Sequence, residues 1–187
     1  RHYDLKKTLK IEVKRNLINE TDWFDFFVLK NKIYNLFKTK HLKKNKQNAV
    51  TTGFKLYLEN IIKSLLFWPD RHGLWYFPAV KKGAEIIENN WKPNVIYASA
   101  WPITALLIAK KISNKYDIPW VAELRDLWVD NHYIRYPFWR KICDIYLEKK
   151  TLSTAELLVT VSTPLKQILL DKFNIPVSVV QNGFDKH

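Results

Sequence analysis

The chain has 187 residues, of which 47% are hydrophobic and 26% are charged. This length and composition are typical of one globular domain and exclude a disordered polymer. The single cysteine, Cys143, excludes an internal disulfide bond and a cysteine-based zinc site, and the five histidines show no metal-ligand spacing. We therefore expect no metal ion, and we expect Cys143 to be a small core residue of a helix.

Charge is distributed unevenly along the chain, whose formal net charge is +13. Residues 1–71 contain 16 lysines and arginines against 7 acidic residues, whereas residues 72–187 contain 15 against 11. This asymmetry favours an anionic partner for the first part, either a membrane surface or a nucleic acid, although a solvated lysine-rich face needs no partner. The longest uncharged run, residues 93–109, contains two prolines and is too short to cross a bilayer.

Residues 21–78 are a basic and aromatic region with helical periodicity. Trp23, Phe26 and Phe27 recur at helical spacing, and residues 30–46 contain seven lysines and no acidic residue. Helices of this composition lie in the interface of anionic membranes, with aromatic side chains inserted and lysines near the headgroups. The aromatic side chains could instead pack on a sheet. We interpret the region as a helical insertion that contacts an anionic membrane surface.

The following elements form a strand–helix–strand unit. Residues 79–90 have the pattern of a helix, and residues 95–97 and 120–124 are short apolar runs of β-formers. Between the two strands, Ser99 is a candidate helix cap and residues 103–112 supply an apolar helix face. A strand, a crossover helix and a strand of this length predict parallel strands in an α/β fold.

A long helix is predicted for residues 138–152. The apolar positions of this helix, which we expect to face the core, are Ile142, Ile145, Tyr146, Leu147 and Leu152. The basic positions, which we expect to face water, are Arg140, Lys141, Lys149 and Lys150.

Two more strands and a helix complete the alternation. Residues 157–161 and 177–180 are predicted strands, and residues 165–173 are a predicted helix between them. Ser162 or Thr163 caps this helix, and the N–H groups of its first turn are a natural anion site, with a plain helix cap as the alternative.

Polar and aromatic residues lie at or shortly after the carboxyl ends of these strands. In open α/β sheets, ligands bind in the crevice beyond the carboxyl ends of the strands, so these side chains are candidate substrate contacts. The candidates are Ser99, Trp101, Arg125, Asp126, Asp130, Asn131, Ser162, Asn182 and Gly183. An alternative for Arg125 and Asp126 is a simple ion pair that caps the next helix.

Four segments, in this order, resemble the N-terminal domain of glycosyltransferase family 4: residues 93–99, 118–128, 155–162 and 179–185. Within that family, the chain looks most like enzymes of bacterial polysaccharide and O-antigen assembly. The resemblance implies an α/β, Rossmann-like parallel sheet flanked by helices, which is one half of a GT-B fold. It also implies retaining transfer of a sugar from a nucleotide-sugar donor.

The resemblance assigns roles to the candidate residues. The N-terminal domain of the family binds the acceptor, and a C-terminal domain binds the nucleotide-sugar, which is a co-substrate, so no cofactor is expected. Arg125 stands where many members place a histidine and could stabilise charge near the leaving phosphate, which makes Arg125 and Asp126 the candidate catalytic residues. Asp126, Asp130 and Asn131 could bind acceptor hydroxyls, and Asn182 and Gly183 resemble the crossing into the C-terminal domain.

By this resemblance, residues 1–187 are a single acceptor-side domain shortened at both ends, and the chain alone should transfer no sugar. We expect a cytoplasmic protein on the inner face of the cell membrane, with a saccharide or lipid-linked acceptor and its own C-terminal domain as partners. Three alternatives remain open at this point: a nucleotide-sugar 2-epimerase of the same architecture, a basic nucleic-acid- or polyanion-binding module, and a non-catalytic interaction domain. The chain shows no recognised nucleic-acid motif, so no specific nucleic acid is expected.

Overall fold

The computed structural model describes Thr21, residues 68–131 and residues 137–183. Most of the basic aromatic region, including its proposed membrane contact, therefore lies outside the described residues. In the part described, the elements are a 3-10 helix (Gly73–Trp75), α1 (Tyr76–Asn89), β1 (Ile96–Ala100), α2 (Ile103–Tyr116), β2 (Trp120–Leu124), α3 (Phe138–Leu152), β3 (Leu157–Thr160), α4 (Thr163–Lys172) and β4 (Val177–Val179).

The four strands form one parallel sheet in the order β1-β2-β3-β4. This confirms the predicted α/β, Rossmann-like arrangement. Ala100 pairs with Leu124, Leu124 with Thr160, and Thr160 with Val179, so the last residues of the four strands stand level. The loops that leave the strands consequently begin at a single edge of the sheet.

The main core lies on one face of this sheet. Alternate strand residues such as Ala98, Ala122 and Leu158 join residues of α2, α3 and α4 in a single buried cluster. Crossover connections between parallel strands are right-handed. Because each new strand is added at the same edge of the sheet, the crossover helices lie on the same face. α1 packs outside α2 through a second small cluster that includes Ala79 and Ile112.

The start of α2 corrects the prediction for Ser99. β1 continues to Ala100, so Ser99 is a strand residue, and the N-cap position is occupied by Pro102, which makes no side-chain cap. The cap comes instead from a distant turn: the Asp70 carboxylate accepts hydrogen bonds from the Thr104 N–H at 2.8 Å and from the Thr104 hydroxyl at 2.9 Å. An acidic side chain at a helix N-terminus satisfies orphan N–H groups and complements the helix dipole.

The orientation of α3 also differs from the prediction. Arg140, expected to face water, is 6% exposed, and its neighbours Asp144 and Glu148 are each 1% exposed. Ile142, Ile145 and Tyr146, expected in the core, are exposed, and so is Cys143. Each buried charge has a partner fixed in the fold, and this pairing allows the helix to turn its charged side inward.

One of these pairings links α3 to the turn at residues 68–70. Arg140 donates to the Pro69 carbonyl at 2.6 Å, and its Nε lies 3.5 Å from the Asp144 carboxylate. The Trp68 indole N–H donates to the same carboxylate at 2.9 Å. Burial raises the pKa of Asp144, while Arg140 acts in the opposite direction. The turn therefore joins the beginnings of α2 and α3.

The remaining differences are at element boundaries. α1 begins at Tyr76, three residues before its predicted start, because the aromatic residues before Ala79 form a 3-10 turn and the first helical turn. Ser162 takes the N-cap position of α4, but its side chain makes no capping hydrogen bond.

Replacing Asp70 with alanine should lower the free energy of unfolding by about 0.5–2 kcal/mol, because the N-terminus of α2 loses its cap. Urea unfolding of the purified chain measures the change. Asp171→Ala is the matched control, since Asp171 is exposed on α4 and, within the described part of the chain, its carboxylate accepts a hydrogen bond only from Gln167. The control should change stability by less than about 0.5 kcal/mol. Equal effects of the two substitutions would contradict the capping role.

Replacing Arg140 with methionine should cost about 3–5 kcal/mol of stability, because Asp144 becomes a buried charge without its cationic partner. The double variant Arg140→Met/Asp144→Asn keeps an acceptor for Trp68 and removes both charges, so we expect it to recover more than half of that loss. Lys141→Met, on the exposed side of the same helix, is the control. A double variant no more stable than the single one would show that charge pairing is not the cause.

Candidate functional site

The carboxyl edge of the sheet, here called the rim, consists of residues 101–102, 125–126, 161–163 and 180–183. The Thr160 hydroxyl donates to the Leu124 carbonyl at 2.9 Å, and the Val180 N–H donates to the Thr160 carbonyl at 2.8 Å. These bonds hold the ends of β2, β3 and β4 against one another. The rim is thus a fixed platform on which the candidate residues following each strand are brought to one edge.

Arg125 is the exposed cation at the centre of the rim. Its Nε lies 3.5 Å from an oxygen of Glu123, whose side chain is 11% exposed against 60% for Arg125. Burial, followed by the nearby Glu123 carboxylate, raises the pKa of Tyr97. The buried Glu123 carboxylate therefore orients Arg125, whose side chain is mostly exposed to solvent and can bind an anion. Asp126 is exposed next to it.

Glu123 is a residue that sequence reasoning missed. It was assigned to a buried strand, and the structure confirms the strand but places Glu123 on the face opposite the main core, level with Ser99. The signal in the sequence was a single charged residue in an otherwise apolar strand. Alternation with Ala122 and Leu124, which belong to the core, would have placed Glu123 on the other face.

Ser99 and Trp101 lie at the end of β1. The Ser99 hydroxyl is directed at the Ala100 carbonyl at 3.4 Å, and the side chain is only partly buried. Trp101 packs against the main core, and its indole N–H is buried with no hydrogen-bond partner among the described residues. Buried indole donors without a partner are uncommon in folded proteins, which makes this N–H a candidate contact for a ligand.

The ends of β3 and β4 contribute Ser162, Asn182 and Gly183. The Ser162 side chain makes no capping bond, so it accepts no hydrogen bond from the first-turn N–H groups of α4. Asn182 and Gly183 are exposed, and a Cβ added to Gly183 would meet no atom within 4 Å. The fold itself therefore does not require a glycine at position 183.

Asp130 and Asn131 are not brought to the rim with the others. The Asp130 carboxylate accepts from the Lys172 ammonium at 2.8 Å, and Lys172 is the last residue of α4. Since α4 begins at the rim and rises about 1.5 Å per residue, this contact lies about 15 Å along the helix from Ser162. The loop after β2 therefore descends from the rim beside α4, with Leu127 and Trp128 buried in the core.

The turn at residues 68–72 reaches the rim from outside the sheet. Asp70 accepts from the N–H of His72 at 2.7 Å, and the His72 Nδ1 lies 3.6 Å from the same carboxylate oxygen. Because Asp70 also caps α2, this carboxylate–histidine pair lies next to the end of β1. The Asp-x-His spacing of Asp70 and His72 is the signal of this pair in the sequence.

A buried ionic network fixes the loop after β2. Glu148 accepts from the Val129 N–H at 3.3 Å and from Lys172. Burial is the largest influence on Glu148 and raises its pKa, although the Lys172 hydrogen bond acts against it. Burial lowers the pKa of Lys172, but Asp130 and Glu148 together outweigh it and raise the pKa. Burial removes more water from the charged group of Glu148 than from that of Lys172, because the Glu148 side chain is 2% exposed and the Lys172 side chain is 29% exposed.

Among the described residues, no group of three or more histidine, cysteine or acidic side chains comes together in a way that could hold a metal ion. In the same part of the chain, no helix is both long enough and apolar enough to span a membrane.

Replacing Glu148 with glutamine should flatten the pH dependence of stability. A folded-state pKa above the unfolded value gives stability that is complete below the unfolded pKa and is lost as pH rises through the folded pKa. Glutamine does not titrate, so the free energy of unfolding should fall less in the variant than in the wild type between about pH 4 and about pH 7. Urea unfolding across this range tests the slope. An equal or steeper fall in the variant would contradict the raised pKa.

The chain was compared with known proteins. The model of Glycosyltransferase Family 4 matches residues 43–187, a range that contains every described strand and the whole rim. No curated protein matches the chain. Since the match covers well over half of the 187 residues, the chain belongs to Glycosyltransferase Family 4, and its sheet is the Rossmann-like half of a GT-B fold.

Proposed function

We propose that this chain is the acceptor-binding domain of a retaining, nucleotide-sugar-dependent glycosyltransferase that extends a lipid-linked saccharide in bacterial polysaccharide assembly. The observation that carries the proposal is the level register of the four strands, which brings Arg125, Ser162 and Asn182 to one rim. Membership of the family supplies the reaction class, and the rim supplies groups suited to a phosphate and to sugar hydroxyls.

Arg125 is the candidate for stabilising the leaving group. When a sugar leaves a nucleoside diphosphate, the bond from its anomeric carbon to the phosphate oxygen breaks and negative charge develops on that oxygen. A guanidinium can bind two phosphate oxygens at once, and its value rises where water is excluded. Glu123 lies 3.5 Å from the Nε of Arg125 and is the one ion-pair partner of this guanidinium among the described residues.

Acceptor binding falls to the neighbouring groups of the rim. Asp126 is exposed beside Arg125 and can accept a hydrogen bond from an acceptor hydroxyl, and Ser99 and Ser162 provide hydroxyls on either side. The buried indole N–H of Trp101 has no acceptor among the described residues, and a sugar oxygen would supply one. Asp130 and Asn131 are left out of this assignment, because the Asp130–Lys172 ion pair lies away from the rim.

The donor nucleotide-sugar is assigned to a C-terminal domain of the same enzyme, which the exposed segment at Asn182 and Gly183 would join. The reaction therefore takes place between the rim and that domain. The acceptor's lipid would hold the enzyme at the inner face of the cell membrane, as a peripheral protein in the cytoplasm.

Arg125→Ala should reduce kcat about 100-fold to 1000-fold with a smaller change in KM, because the lost interaction forms mainly in the transition state. The assay measures transfer of labelled sugar from UDP-glucose, UDP-galactose, UDP-N-acetylglucosamine and GDP-mannose to bacterial lipid extracts, by the enzyme with its C-terminal domain. Lys111→Ala removes an exposed cation of α2 and should leave the rate unchanged.

The 187-residue chain alone should transfer none of these sugars, since the donor site is assigned to the other domain. Full activity of Arg125→Ala would remove Arg125 from the mechanism. Turnover by the chain alone would contradict the division of labour between the domains.

A further inference from the structure

The outward face of α3 is an exposed apolar surface. Phe138 is 80% exposed, Tyr146 66%, Ile142 51% and Ile145 46%. Phe138, Ile142 and Ile145 stand at positions i, i+4 and i+7, so they share one side of the helix, with Tyr146 beside them. Water-exposed apolar residues in one contiguous stripe, unlike scattered ones, mark a surface that binds something.

The charges of α3 are sorted between its two sides. Its acidic residues, Asp144 and Glu148, are buried together with Arg140. Its exposed charged residues, Lys141, Lys149 and Lys150, are all cations. The face that meets solvent is therefore apolar and positively charged, with no negative charge from the helix itself. This is the composition of helices that lie in the headgroup region of an anionic bilayer.

We propose that α3 is a membrane-docking element, which lies on the surface of an anionic bilayer with Phe138, Ile142 and Tyr146 inserted at headgroup depth. Lys149 and Lys150 then contact the lipid phosphates. The bilayer is favoured over a protein partner because the exposed charges have a single sign and flank the apolar stripe. Aromatic residues and lysines together are typical of the membrane interface.

The inner side of α3 makes this docking rigid. The Arg140–Asp144 pair fixes the first half of the helix to the turn at Pro69, and the Glu148–Lys172 pair fixes the second half to α4. The helix consequently needs no rearrangement to expose its apolar side. Membrane contact through a preformed face avoids the entropy cost of ordering a segment on binding.

Membrane docking by α3 adds a membrane-contact surface to the proposed function and rests on it. α3 begins beside the turn at residues 68–70, which also caps α2 at the rim. A bilayer under Phe138 would lie close to the rim, where a lipid-linked acceptor presents its saccharide. The docking element differs from the basic aromatic region expected from the sequence, and its lipid binding can be measured without any sugar transfer.

Cys143 provides a reporter, because it is the single cysteine of the chain and is exposed on α3. An environment-sensitive dye attached to Cys143 should shift its emission to the blue with vesicles of phosphatidylcholine and phosphatidylglycerol. It should shift little with phosphatidylcholine alone, and the shift should reverse in high salt. Before vesicles are added, Cys143 should react with a thiol reagent as fast as a free thiol in a peptide.

Lys149→Gln/Lys150→Gln should lower the partition coefficient about thirtyfold, because each cation near an anionic surface is worth about fivefold. Phe138→Ser should lower it at least about tenfold through the lost apolar contact. Trp91→Ser is the matched control: Trp91 is a 63% exposed aromatic residue that follows α1 outside residues 21–78, and its replacement should leave partitioning unchanged. Far-ultraviolet circular dichroism confirms that each variant is folded.

Equal loss in Phe138→Ser and Trp91→Ser, or equal binding to neutral vesicles, would overturn the proposal. Slow reaction of Cys143 without vesicles would also overturn it, by showing that another segment of the chain or a second copy covers α3. A dimer in size-exclusion chromatography that Phe138→Ser converts to a monomer would identify that second copy. Normal lipid docking by an enzyme that transfers no sugar would refute the proposed function and leave this inference standing.

Discussion

The level register of four parallel strands is the constraint on which the rest of the structure depends. Parallel strands require a crossover between each pair, and strands added in one direction bring each crossover helix to the same face. One face therefore holds the core formed by α2, α3 and α4, and every loop that leaves a strand starts from the rim. The topology of the sheet brings the polar groups that follow each strand to the rim.

The local pattern of the sequence was sufficient for this framework. β2 and α3 have the predicted limits, Trp120–Leu124 and Phe138–Leu152, because short β-branched runs and long amphipathic runs are marked by flanking prolines and polar residues. The Asp-Ile-Pro sequence ends α2, with Asp117 in the left-handed conformation that helix ends often require. The family resemblance was confirmed by the match over residues 43–187.

Long-range pairing explains what the pattern could not predict. The hydrophobicity of α3 alone directs Ile142 and Tyr146 inward, but Arg140 and Glu148 have partners 71 and 24 residues away that make their burial acceptable. The cap of α2 likewise comes from Asp70, 34 residues before Thr104, so the nearby Ser99 was the wrong choice. The same cause separates Asp130 from the rim, because its partner Lys172 belongs to the far end of α4.

These distant pairings also connect the rim to the surface of the molecule. The turn at residues 68–70 contacts α2 through Asp70 and α3 through Pro69 and Trp68, so the rim and α3 are held by one short segment. A buried ion pair contributes little net stability compared with apolar packing, but it fixes one arrangement, because a helix rotated about its axis would leave charges buried without partners. The orientation of α3, with its apolar side outward, follows from this requirement. An apolar surface maintained at the cost of burying charges is consistent with a surface that has a partner, and its position beside the rim suits a partner that carries the acceptor.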